Sequence, residues 1–117
     1  MEHLKLLAEK FAELSMSKRF PVEKWLNIYG VNADVLFPYE FFTVDFGAIR
    51  LDYRKDEWYI TGTEAMLGDS AAIEKLGDKY QQIYEKFISD LPGLKSAHVV
   101  KLQEQVIALQ EELNQVA

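Results

Sequence analysis

FFTVDFGAIRLDY, residues 41–53, is the stretch on which the fold turns. Phe42, Val44 and Phe46 alternate with Thr43 and Asp45, and beyond Gly47 the series Ile49, Leu51 and Tyr53 alternates with Arg50 and Asp52. A period of two marks a half-buried strand, because successive side chains leave opposite faces. The apolar parity switches across Gly47. A tight hairpin turn and a glycine bulge in one long strand each produce that switch. The polar run Arg54-Lys55-Asp56-Glu57 reads as a hairpin turn that returns as Trp58-Tyr59-Ile60-Thr61 before Gly62. The expectation is a small antiparallel sheet over about residues 40–61, buried on one face.

On either side of this stretch the period lengthens to that of a helix. Leu4, Leu7, Ala8, Phe11 and Leu14 share one face of a segment over residues 3–16. Pro21 opens a shorter helix in which Val22, Trp25, Leu26 and Tyr29 share a face, with Gly30 as its stop. A loop containing Asn32, Asp34 and Pro38 leads to the sheet. Asp69 and Ser70 are plausible N-caps for a helix over about 69–91, with Ile73, Leu76, Tyr80, Ile83, Tyr84, Phe87, Ile88 and Leu91 at helical spacing. Pro92-Gly93 predicts its end. Gly77 stands inside that helix at a cost of about 1 kcal/mol relative to alanine, which points to a close approach by a neighbouring backbone.

Ser96 then caps a terminal helix over 96–116. The order ααβββαα defines an α+β fold with helices packed on one face of the sheet, as one domain spanning 1–117 whose segment 96–117 is an amphipathic helix suited to oligomerisation. Phe11, Trp25, Val44, Leu51, Ile60, Leu76, Ile83 and Phe87 are the expected core.

The chain is long enough for one self-sufficient core, and its 49% hydrophobic and 27% charged content is that of a globular protein. It has no cysteine, hence no disulfide framework, thiolate nucleophile or sulfur-ligated metal. The opening EHLKLLAEKFAEL is interrupted by charges and does not read as a secretory signal. No run approaches the ~18 apolar residues of a membrane span, so a cytoplasmic protein with no membrane contact is expected. A net charge of −6, with Lys18-Arg19 and Arg54-Lys55 as the only adjacent basic pairs, disfavours direct nucleic-acid binding. The same charge suits a basic protein partner.

Motifs for chemistry are missing. His3 and His98 share no metal-ligand spacing, no GxSxG elbow is present, and the six glycines form neither GxGxxG nor a phosphate loop. Asp45 and Asp52 beside Arg50, or Asp56, Glu57 and Glu64, are the only carboxylate groupings worth weighing. Isolated acids on a strand face are ordinarily solvated and paired with a neighbouring arginine. No catalytic residue, metal ligand or cofactor is expected.

Two surfaces remain for binding. Val99, Leu102, Val106, Leu109, Leu113 and Val116 recur at alternating spacings of three and four, the a/d seam of a heptad helix. Fewer than three heptads are present, short of the three or four that mark an independent coiled coil. Val100 and Ile107, both at position b, widen the stripe, and Gln103, Gln105, Gln110 and Glu112 at e and g offer neither repulsion nor a complementary charge code. Such a seam is buried either against the chain's own domain or against another subunit, and between subunits a homotypic contact follows more naturally than a selective heteromeric zipper. Secondly, Phe41 and Phe42 leave opposite faces of one strand, so Phe41, with Tyr39 and Tyr59, points away from the main core and needs another cover. These features describe a non-catalytic interaction module: a homo-oligomeric adaptor, regulator or accessory subunit. An acidic inhibitor or immunity-type protein that masks a basic surface is the alternative, and a small enzyme or ligand-binding protein with a carboxylate site the third.

Overall fold

The computed structural model describes residues 1–16, 19–36 and 41–116. Its elements are α1 (Glu2–Ser15), α2 (Val22–Ile28), β1 (Asn32–Leu36), β2 (Phe41–Asp45), β3 (Ile49–Arg54), β4 (Glu57–Gly62), α3 (Glu64–Leu67) and α4 (Ser70–Val116). The four strands form one antiparallel sheet in the order β1-β2-β3-β4. This is the expected α+β class with a long C-terminal helix.

Gly47 marks a hairpin, not a bulge. At φ +83° it sits in the left-handed region, Phe46 N–H donates to Ile49 C=O at 2.8 Å, and the Asp45 carboxylate accepts from Gly47 N–H at 2.7 Å. The β3–β4 turn is the expected one. Lys55 and Asp56 both take positive φ, as a two-residue hairpin of matching twist requires, and Tyr53 Oη donates to Asp56 at 2.8 Å.

Where a loop was expected after Gly30, β1 adds a fourth strand that pairs with β2 from Asn32↔Asp45 to Leu36↔Phe41. The reason is alternation in Val31, Ala33 and Val35. Val31 and Ala33 are buried and Val35 half-buried, while Asn32 and Asp34 are exposed. The short α3 was also unanticipated; its N-cap Thr63 hydroxyl accepts from Met66 N–H.

Packing divides the chain into two compact units, Met1–Phe87 and Ile88–Ala117. In the first, the inner sheet face presents Phe42, Val44, Phe46, Ile49 and Leu51 to the helices. Phe46 lies edge-on to Tyr80 at 4.8 Å and tilted against Phe11 at 6.4 Å, Phe11 meets Tyr84 at 5.5 Å, and Tyr29 meets Phe87 at 5.2 Å. These contacts join α1, α2 and the Ser70–Phe87 part of α4 to one face of the sheet.

Of the expected core, Phe11, Val44, Leu51 and Phe87 are fully buried, whereas Trp25, Ile60, Leu76 and Ile83 are half-buried. On α4 the buried line runs through Gly77, Tyr80 and Phe87, with Ile73 and Tyr84 alongside, so Leu76 and Ile83 fall on its flank. What comes close to Gly77 is a side chain, not a backbone. A Cβ there would stand 2.8 Å from His3 Nδ1, while His3 Nε2 lies 3.2 Å from Gln81 Oε1.

Pro92-Gly93 does not end the helix. α4 continues through Pro92 to Val116, so Ser96 is an interior residue and no separate helix begins there. An interior proline forfeits one backbone hydrogen bond and costs about 3 kcal/mol. Pro92 and Gly93 are both exposed, so water can serve the carbonyl that the proline leaves without its helical donor.

Candidate interaction surfaces

The second unit carries the seam. Val99, Leu102, Val106, Leu109 and Leu113 are all exposed, from 37% at Val99 to 69% at Leu113, and so are Val100 and Ile107. Val116 is the last helical residue, and its side chain lies outside the described ones. Helical spacing therefore brings the described seam residues together on one face. Around the helix Lys101 falls at c and Glu104 and Glu111 at f, away from the seam, and only Glu112, at g, borders it.

The outer face of the sheet is the second surface. Register sets Asp34, Thr43, Asp52 and Tyr59 in one row across the four strands, and Phe41, Arg54 and Glu57 in the next across β2, β3 and β4. Phe41 is half-buried and Tyr59 exposed. They share the face but lie on either side of β3 and one row apart, about 12 Å from each other by strand spacing and rise, with Arg54 between them. The Arg54 guanidinium sits over the Tyr59 ring at 5.6 Å, and Tyr59 Oη donates to Glu57 at 2.9 Å. That hydrogen bond to a carboxylate, reinforced by its charge, raises the Tyr59 pKa. Tyr39 falls outside the described residues.

Asp52 departs from the solvated, cross-strand-paired carboxylate expected on this face. It is only 4% exposed, accepts from the Thr43 hydroxyl at 2.6 Å, and meets Arg50 Nε of its own strand at 3.3 Å. Asp45 is engaged by the Gly47 amide in the neighbouring turn. Asp56 serves its own hairpin through Tyr53, whose pKa that hydrogen bond raises. The acids singled out in the sequence are thus distributed among turns and strand pairs. Among the described residues no group of three or more His, Asp or Glu side chains could hold a metal ion.

Two open concavities adjoin the sheet. One of about 490 Å³ is lined by Asp34, Phe41, Phe42, Thr43, Tyr53 and Arg54. The other, about 380 Å³, lies where α2 meets β1, beside Asn27, whose side-chain amide donates to Asn32 Oδ1. Glu23 on α2 also accepts from Val35 N–H of the edge strand at 3.4 Å.

No protein-family model, curated protein or solved structure matches this chain. Among the described residues no helix is long and apolar enough to cross a membrane.

Proposed function

We propose that this protein is a non-catalytic interaction module, an adaptor, regulator or accessory subunit of the cytoplasm, that associates with further copies of itself through the C-terminal seam of α4. The observation that carries this reading is the exposure of Val99, Leu102, Val106, Leu109 and Leu113 along one helical face. Heptad spacing is the pattern that a second helix covers knob by hole. Covering a half-exposed valine or leucine returns roughly 1 kcal/mol, so a few such residues are worth a reversible association.

The test replaces Leu109 and Leu113 together by glutamate and compares parent and variant by light scattering after size exclusion over ~1–100 μM, a span chosen for micromolar affinities. An oligomeric parent and a monomeric variant with unchanged circular dichroism support the reading. A parent that stays monomeric throughout overturns it. A variant that keeps the parent's mass removes the seam from the interface.

A further inference from the structure

We draw no further inference here: the strongest candidate, the exposed apolar face that Val99, Leu102, Val106, Leu109 and Leu113 form on the C-terminal part of α4, already carries the proposed self-association, and nothing in the structure shows what covers it or in which direction.

Discussion

Replacing Asp52 separates a structural carboxylate from a chemical one. Its side chain is nearly closed off from water on a face where its neighbours Asp34 and Tyr59 are exposed. Two partners hold it, and they are unequal. The Thr43 hydroxyl donates at 2.6 Å across the β2–β3 pair, and a hydrogen bond to a charged group away from solvent is worth roughly 1.5–3 kcal/mol. Arg50 approaches at 3.3 Å but is itself half-exposed, so water screens the attraction to about 0–1 kcal/mol. Urea unfolding should therefore show Asp52→Ala destabilised by roughly 2–3 kcal/mol and Arg50→Ala by less than about 1. In double-mutant cycles, Thr43→Val with Asp52→Ala should couple by about 1–2 kcal/mol, and Arg50→Ala with Asp52→Ala by no more than about 0.5. If Arg50→Ala costs as much as Asp52→Ala, or if the Thr43 and Asp52 effects simply add, the hydroxyl is not what holds this carboxylate and the assignment of Asp52 to strand pairing is wrong.

Two further outcomes follow from the first unit. Gly77→Ala gains helix propensity of about 1 kcal/mol but drives a methyl against the His3 ring. It should be neutral or destabilising in the parent and stabilising by about 1 kcal/mol in a His3→Ala background, read by thermal or urea unfolding; the same gain in both backgrounds would refute the contact. Burial, with the Asp45 charge as a smaller cause, raises the Tyr80 pKa, so the fold favours the neutral phenol. Its contribution is complete below the unfolded value of about 10 and is lost as pH climbs through the higher folded value. Stability of the parent should fall above pH ~10 more steeply than that of Tyr80→Phe. Equal slopes would show that Tyr80 ionises as freely in the folded chain as in the unfolded one.

Period was the legible part of the fold. Alternation through residues 41–53 marked strand and its inward faces, and the parity switch at Gly47 allowed either a hairpin turn or a bulge in one long strand until the backbone decided for the hairpin. β1 was missed because Asn32, Asp34 and Pro38 are loop formers, and the alternation Val31, Ala33, Val35 includes an alanine too small to announce a strand. The helix through Pro92 was missed for a different reason. Proline and glycine end a helix when the stop can be satisfied cheaply, and here the helical period resumes at once in Leu94, His98 and Leu102. On α4, Gly77 was recognised as a close approach, yet counting large apolar residues shifted the buried line onto Leu76 and Ile83. No sequence pattern shows that a histidine from α1 fills the space a side chain at residue 77 would occupy.

The two candidate surfaces differ in what already accounts for their residues. On the outer sheet face the prominent groups are satisfied within the chain: Asp52 by Thr43 and Arg50, Asp45 by the Gly47 amide, and Tyr59 by Glu57 and Arg54. Each has a structural reason to be what it is. The seam has no such account. Among the described residues every buried hydrophobic side chain lies between Leu4 and Phe87, so the seam residues contribute nothing to a core. A surface helix selected only to remain in water would carry charge at a, b and d, where it costs nothing. Placing valine, leucine and isoleucine there instead exposes apolar area along a whole face, a liability unless another surface covers it. For that reason the proposed function rests on α4 and not on the aromatic sheet.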